Sequence, residues 1–436
     1  EIWVSESQER MMCTCKPENV DAVLEVFDLW DVPATPIGVT TDTMHTRLFW
    51  DGEQIFDMDL EFLTGGPVYE RPYELPTVST KAKEVFPVID SDKDAILAML
   101  SDPNVASKEW AIRQYDHEVR AATVVHPMVG PLNETGPGDA SVLRPVLDRY
   151  KGLAAAIGCN PWFTEADPYK GGMSCIDETC RNIVAVGARP NAFTDCLNFG
   201  NPEKPERLGE FREAVRGIGE AARGLNIPIP SGNVSLYNEA PGGHHILPTP
   251  MILGCGLIDD IRKCITADFK KAGSCIFIVG KTRDEMGASL LFRKFGGVEG
   301  DVPAVDIENL KGLMDKLLKA MDEGIVLSCH DCSDGGLAVA VAEMCISGHI
   351  GAEIDTSAVG ENFRVNLYSE SNSRWIVEID GADVTRFTDI MGDDATLLGI
   401  TKGDCLRIKD NGTVVPLDEM RKAWSEPVWK IMGGAE

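Results

Sequence analysis

The sequence predicts an α+β (mixed α/β) protein of more than one domain, and three observations carry that expectation. The first is an internal repeat: Ser5–Met12 returns in altered form as Ser369–Ile376. In the same order, Ile37-Gly38-Val39-Thr40 returns as Leu398-Gly399-Ile400-Thr401, and the turn Asp51-Gly52 within Arg47–Phe56 returns as Asn411-Gly412 within Leu406–Val415. Repeats are read first because missing one misassigns the whole fold. The second is that short apolar runs alternate with stripes of helical period, with hairpin signals inside the repeated unit. The third is size: 436 residues with 44% hydrophobic content allow two or three domains, at roughly 100–200 residues each. On this reading the opening segment is the tail of a first copy, and Glu1 in place of an initiator Met fits a fragment.

Taken in order, the opening segment reads strand, helix, strand, hairpin. Met11–Cys15 is a short apolar strand, and Asn19 is the N-cap of a helix on which Val20, Val23, Phe27 and Trp30 share a face. Asp51-Gly52 joins Arg47–Trp50 to Gln54–Phe56 as a two-residue hairpin, since both turn positions favour positive φ. Gly65-Gly66-Pro67 and the stretch from Pro72 to Pro76 form a linker. Further on, Leu208, Phe211, Val215, Ile218, Ala222 and Leu225 make a 3-4-3-4-3 stripe, an amphipathic helix that stops near Gly224. Cys275–Val279 is an apolar strand, and helices follow near Leu310–Met321 and Leu337–Ser347. The divisions expected are residues 1–74, 75–260 and 261–436.

Composition removes several classes of function. A net charge of −28 argues against a nucleic-acid binder, which needs clustered Lys and Arg against the phosphate backbone. No apolar run reaches the length of a membrane span, and no signal peptide opens the chain. The 13 cysteines are scattered, odd in number and mostly in apolar runs, which points to a reduced, cytoplasmic protein with core thiols. Cys13 and Cys15 share a face of the expected strand, without further ligands at metal-binding spacing. His117 and the pair His244-His245, among only 7 histidines, have no acid at a telling spacing and read as structural.

Three polar segments are read as loops with chemical capacity. Thr194–Pro202 sets Asp195 and two amides beside Gly and Pro. Ser231–Ser235 offers close backbone approach at Gly232, a neutral oxygen at Asn233 and a hydroxyl at Ser235, a set suited to polyphosphate and a hard cation. His330–Gly336 leads into a helix that Ser333 or Asp334 can cap, with N–H groups free for an anion. Taken alone, an ordinary turn explains the first two segments better than a ligand site does, and an ordinary capped helix explains the third equally well. Ser5–Gln8 reads as the entrance of a strand facing a cleft.

Together, Ser5–Met11, Asp195–Glu206, Ser231–Asn238 and His330–Leu337 resemble the synthetase (large) subunit of phosphoribosylformylglycinamidine synthase of the two-repeat type, in that family's order and over essentially the whole chain. The resemblance implies an aminoimidazole ribonucleotide synthetase-like repeat, an N-terminal domain followed by a C-terminal α/β domain, preceded by the end of a first C-terminal domain. It further implies ATP-dependent phosphorylation of the amide oxygen of formylglycinamide ribonucleotide, giving an iminophosphate that ammonia converts to the amidine. ATP and Mg²⁺ would be required. A glutaminase subunit and a small accessory subunit would supply ammonia, and the rest of the same subunit would complete the site.

Carried over by motif, Glu6, Ser7, Gln8 and Ser235 would hold the ribonucleotide, Asp195 and Gly232 would contact ATP, and Asn233 would ligate Mg²⁺. The family's catalytic histidines and first carboxylate ligands belong to the first repeat's N-terminal domain, so no catalytic residue is expected in this chain. The second-repeat counterpart, Cys159–Glu165, contains no histidine. Asp331 and Asn182 would be polar remnants of a degenerate second site able to hold a structural nucleotide. Two other readings stand beside this one: a non-catalytic nucleotide-binding scaffold, and a related small-molecule kinase or synthetase.

Overall fold

The computed structural model describes residues 5–66, 68–78, 85–240, 242–298 and 300–433; Glu1 and Pro67, named above, lie outside them. The chain forms two compact units, Glu1–Glu70 and Arg71–Glu436.

In the first unit, helix α1 (Val20–Leu29) precedes an antiparallel hairpin of β1 (His45–Trp50) and β2 (Glu53–Asp59). Asp51 and Gly52 both take positive φ, 48° and 83°, as a right-twisted two-residue turn demands. Asn19 stands at the helix start, but its side chain makes no capping bond. The strand expected at Met11–Cys15 does not form, and Ile37–Thr40, the repeat match of Leu398–Thr401, is not a strand either; the side chains of both are exposed. Their counterparts in the second copy show why. Trp375–Ile379 lies between two partner strands, and Ala395–Thr401 likewise, whereas the opening segments meet no ladder partner among the described residues of their unit. An unpaired strand leaves its N–H and C=O groups to water and has nothing to fix its extended form.

The repeat survives at a finer scale. Arg10 Nε donates to Ser7 O at 3.1 Å and its Nη2 to Ser5 O; Arg374 Nε donates to Ser371 O at 2.8 Å and its Nη2 to Ser369 O at 2.5 Å. The residue before each arginine is left-handed, with φ 59° at Glu9 and 58° at Ser373. The serine hydroxyls pair at 2.9 Å in one loop and 3.0 Å in the other. One loop is exposed, while Ser369–Arg374 is wholly buried. The loop is therefore a local property of its sequence, closed by the arginine fork over its own carbonyls.

Among the described residues, the second unit holds, besides a two-stranded pair of Met128–Val129 with Gly136–Pro137, two large sheets. Strands β3 (Thr123–Val125), β4 (Ser141–Leu143), β5 (Gly152–Gly158), β6 (Arg189–Asn198), β7 (Ser231–Ser235) and β8 (Thr249–Ile258) form one, in the order β3-β4-β5-β8-β6-β7. All its pairs are antiparallel except β6 with β7. Strands β9 (Cys275–Val279), β10 (Val326–Asp331), β11 (Ala352–Ile354), β12 (Trp375–Ile379), β13 (Ala395–Thr401), β14 (Cys405–Ile408) and β15 (Thr413–Pro416) form the other, in the order β10-β12-β9-β13-β11-β14-β15. At the second copy's turn only Gly412 has positive φ, and four residues connect the strands, so the two hairpins agree in place but not in turn type.

Helices α3 (Pro168–Ala185) and α4 (Pro205–Leu225) pack on the first sheet and share a core with α5 (Ile307–Asp322), β9 and β12. Pro205 starts α4, where no N–H partner is needed. Asn226 ends it in the left-handed conformation at φ 58°, its N–H meeting Ala222 O and Arg223 O. The α3–α4 approach requires glycine: a Cβ on Gly217 would lie 2.1 Å from Tyr169 O, and one on Gly172 2.3 Å from Ala214 O. Helix α2 (Asp92–Leu100) lies with α6 (Gly336–Gly348) in a second core on the other sheet. Tyr368 Oη donates to Asp92 at 2.6 Å. The spans 75–260 and 261–436 stand as proposed domains, with α2 docked on the later one. No helix among the described residues is long and apolar enough to cross a membrane.

Candidate functional site

The segments around Asp195 and Ser231, expected as loops, are paired strands. β6 runs parallel to β7, with Asp195 opposite Gly232, Cys196 opposite Asn233 and Asn198 opposite Ser235. β7 is the sheet edge, and Ser231–Val234 is exposed. The reason is local: Asn226 stops α4 and Pro228 O takes the Phe193 N–H at 2.9 Å, aligning the chain beside β6. Thr194 Oγ1 then donates to Ser231 O at 3.0 Å.

The four residues therefore meet on one strand pair. The pleat divides their side chains, because paired positions share a face and neighbours alternate. Asp195 and Gly232 share the face that carries Phe193 and Leu197; Asn233 and Ser235 project from the other with Cys196 and Asn198. Gly232 has a steric reason to be glycine, since a Cβ there would sit 2.4 Å from the Asp195 carboxylate carbon and both its oxygens. Partial burial raises the Asp195 pKa, and the Asn233 N–H hydrogen bond opposes that rise. Ser235 is held by Asn238: its Oγ reaches Asn238 Oδ1 at 3.3 Å, while Asn238 Nδ2 donates to Ser235 O at 2.7 Å and Phe199 O at 3.0 Å. Asn238 was missed in the sequence, where it stands only as the end of a polar run. Glu6, Ser7 and Gln8 lie exposed in the first unit, Gln8 Nε2 donating to Glu6 O at 3.0 Å.

A second polar centre forms where α3 meets β10. His330 lies between two acids, its Nδ1 2.9 Å from Asp139 Oδ1 and its Nε2 3.1 Å from Glu343 Oε2. The Asp331 N–H donates to Asp139 Oδ1 at 2.9 Å, and Arg181 Nη1 stands 3.3 Å from Asp331 Oδ2. Glu178 accepts the Cys159 N–H at 2.9 Å, and Asn182, one turn further along α3, donates to Ile157 O at 3.3 Å. Burial pushes Glu178 up to about 8, with Arg181 opposing and Asp331 adding. Burial also pushes Asp331 up to about 6 against the pull of Arg181. Burial disfavours the His330 cation, yet Asp139 and Glu343 outweigh it and hold that pKa well above the ordinary range.

Buried Asp139 Oδ2 has no hydrogen-bond partner, and Asp331 Oδ2 has only its ion pair with Arg181; a hard cation would relieve the first. Of this centre the sequence marked Asp331 and Asn182, and His330 only as the start of the His330–Gly336 segment; Asp139, Glu178 and Arg181 went unmarked. The i, i+4 spacing of Glu178 and Asn182 on one helix face was the available signal.

The helix after His330 is not capped as expected. Gly335, left-handed at φ 78°, is the N-cap, and no side chain caps the helix: Ser333 meets it only through its carbonyl, which accepts the Gly336 N–H at 2.9 Å. The group at that end is an internal carboxyl: Glu370 Oε1 accepts the Gly335 N–H at 2.7 Å and the Leu290 N–H at 2.8 Å, and burial raises its pKa to about 8. Asn372 likewise bonds inward, to Ser174 Oγ at 2.9 Å. The second copy of the Ser5–Gln8 segment thus serves the packing of its own unit.

Comparison with known proteins follows these lines. The AIR synthase related protein N-terminal domain family matches residues 137–258, and the AIR synthase related protein C-terminal domain family matches residues 1–51 and 271–408. One C-terminal pattern thus fits both ends of the chain, as the repeat requires. Phosphoribosylformylglycinamidine synthase subunit PurL of Anaeromyxobacter sp. (strain Fw109-5) is 39% identical over 454 residues, covering 99% of this chain and 58% of that protein. PurL of T. maritima complexed with FGAR has a similar fold, with a TM-score of 0.60 at 19% identity, covering 76% of this chain and 53% of that one. The same protein complexed with ATP gives 0.55 at 19% identity over 73% and 52%. The chain spans just over half the length of these relatives.

Proposed function

This chain belongs to the synthetase-subunit family of phosphoribosylformylglycinamidine synthase, and we propose that it supplies part of that enzyme's ATP-dependent ligase site. The reaction joins ammonia to formylglycinamide ribonucleotide: ATP phosphorylates the amide oxygen, and ammonia then displaces phosphate to leave the amidine. The observation that carries the proposal is the β6–β7 pair, which sets the half-buried Asp195 carboxylate of the inner strand beside a glycine, an amide and a hydroxyl of the edge strand, in family order, with the carboxylate and glycine on one face and the amide and hydroxyl on the other.

In this reading Asp195 and Gly232 meet ATP, where the missing Cβ leaves room for the carboxylate above the strand. Ser235, oriented by Asn238, meets the ribonucleotide; Glu6, Ser7 and Gln8, on an exposed loop of the first unit, are assigned to the ribonucleotide by motif alone. Asn233 gives a neutral oxygen for Mg²⁺, which keeps water and phosphate ligands and so needs few from the protein; when bound it would neutralise the phosphates during transfer. At the second centre, Asp331, Asn182, Glu178 and the unpaired Asp139 oxygen suit a metal-associated nucleotide held for structure. The proposed partners are a glutaminase subunit, a small accessory subunit and the remaining length of the synthetase subunit, in the cytoplasm.

The test supplies residues 1–436 with ATP, Mg²⁺, ammonia and formylglycinamide ribonucleotide and follows ADP release, then adds the remaining length of the subunit in trans. Turnover is expected only after the addition, and Asn233→Ala should abolish most of it. Steady turnover by residues 1–436 alone would show that the catalytic groups have been wrongly placed outside them.

A further inference from the structure

The six-stranded sheet has a second chemically equipped edge, opposite the one that carries Asp195 and Ser235. There β3 is the outer strand, and the turn before it folds back so that His117, Glu118 and His126 bring three ligating atoms within 4.8 Å of one another. Glu118 Oε1 stands 3.2 Å from His126 Nδ1 and 3.8 Å from His117 Nε2. Ligands on a tetrahedral zinc ion, each bonded at 2.0–2.1 Å, lie about 3.3 Å apart. The Glu118–His126 separation of 3.2 Å is already that of a coordination shell, and the Glu118–His117 separation of 3.8 Å must close by about half an ångström.

The imidazole of His117 is oriented for the purpose. Its Nδ1 lies 3.1 Å from Tyr115 O, so the N–H sits on Nδ1 and the lone pair on Nε2, the nitrogen that faces Glu118. A carbonyl behind the ring is the usual support of a metal-binding histidine. Thr123 Oγ1 donates to His117 O at 2.9 Å and pins the same residue from the strand side. The turn that closes the approach takes two successive non-glycine residues into the left-handed region, Arg120 at φ 61° and Ala121 at φ 53°. Such strain persists only where the surroundings hold it and gathers at functional sites.

The cluster borders a cavity of about 400 Å³ lined in part by Asp116, His117, Arg120 and Thr123. Three protein ligands beside an open space leave a fourth position for water or a small anion. Two imidazoles and one carboxylate select a borderline divalent ion over Mg²⁺, which prefers oxygen throughout. We propose that His117 Nε2, His126 Nδ1 and Glu118 form a site for one zinc-type divalent cation, independent of the nucleotide chemistry on the opposite edge.

The test uses the whole chain, stripped with EDTA, titrated with Zn²⁺ by calorimetry and with Co²⁺ by visible absorption. The expected result is one tight equivalent whose affinity falls 100-fold or more in His117→Ala/His126→Ala. That equivalent should persist in Cys13→Ser/Cys15→Ser, which removes exposed thiols able to take zinc. Should the double histidine variant lose its fold, as judged by circular dichroism without metal, Glu118→Gln alters only an exposed side chain and should still weaken binding at least tenfold. Unchanged affinity in Glu118→Gln, loss of binding in the cysteine variant, or no tight equivalent in the unaltered chain would each overturn the site.

Discussion

Replacing Glu178 with Gln is expected to remove part of the protein's loss of stability towards alkaline pH. Glu178 is half-buried on α3, and that burial raises its pKa from 4.5 to about 8. The sign follows from proton counting. Below 4.5 the carboxyl is protonated in both folded and unfolded chains and contributes no difference. Between 4.5 and 8 the folded protein keeps a proton that the unfolded chain has released, so stability falls as pH rises, by about 1.4 kcal/mol per unit. Across the window this sums to about 5 kcal/mol as an upper figure. Gln is neutral throughout, and its carbonyl can still accept the Cys159 N–H that Glu178 accepts at 2.9 Å. The variant should therefore exceed the parent by about 1.4 kcal/mol at pH 5.5 and by several kcal/mol at pH 8. Urea unfolding in EDTA at pH 5.5, 7 and 8.5, followed by tryptophan fluorescence, measures this. A difference between the two proteins that does not change with pH would refute the burial argument.

Other outcomes test the loops and the strand pair. Arg374→Ala strips three acceptors of a buried guanidinium and should cost about 3–5 kcal/mol in urea unfolding, whereas Arg10→Ala, in the exposed copy, should change stability by less than about 0.5 kcal/mol. Ser373→Ala removes the hydroxyl donor to buried Asp177 and should cost about 1–3 kcal/mol. Gly232→Ala should leave the melting temperature within a few degrees, because β7 is an exposed edge. It should also weaken ATP binding about tenfold or more in calorimetry of the assembled enzyme, since the Asp195 carboxylate must shift and strain its charge-assisted bond from the Asn233 N–H.

How much of the site was legible depends on the range of the interaction. Asp195, Gly232, Asn233 and Ser235 stood out because Gly, Asn and Ser beside an acid have a chemical meaning visible in a few residues. Their arrangement as a parallel strand pair did not stand out, since Gly, Asn and Pro depress strand propensity and the pairing partner is remote in sequence. The pleat that sets Asn233 and Ser235 on the face opposite Asp195 followed only from the register. His117 was set aside for want of an acid, yet Glu118 is adjacent in sequence and His126 joins them through a strained turn.

The sequence by itself determined what closes over a few residues: the Asp51-Gly52 turn, the stripe of α4, and the Ser5–Arg10 loop, which takes the same form exposed as Ser369–Arg374 takes when buried. In each, the stabilising hydrogen bonds and sterics lie within the segment. Only the tertiary structure decided whether a repeated segment became a strand. Trp375–Ile379 has strands on both sides, and Met11–Cys15 has none among the described residues of its unit. It alone also brought Asp139, His330 and Glu343 together from distant segments. Ladder bonds and buried charges depend on groups that only folding brings within a few ångströms, where lost hydration makes each partner matter.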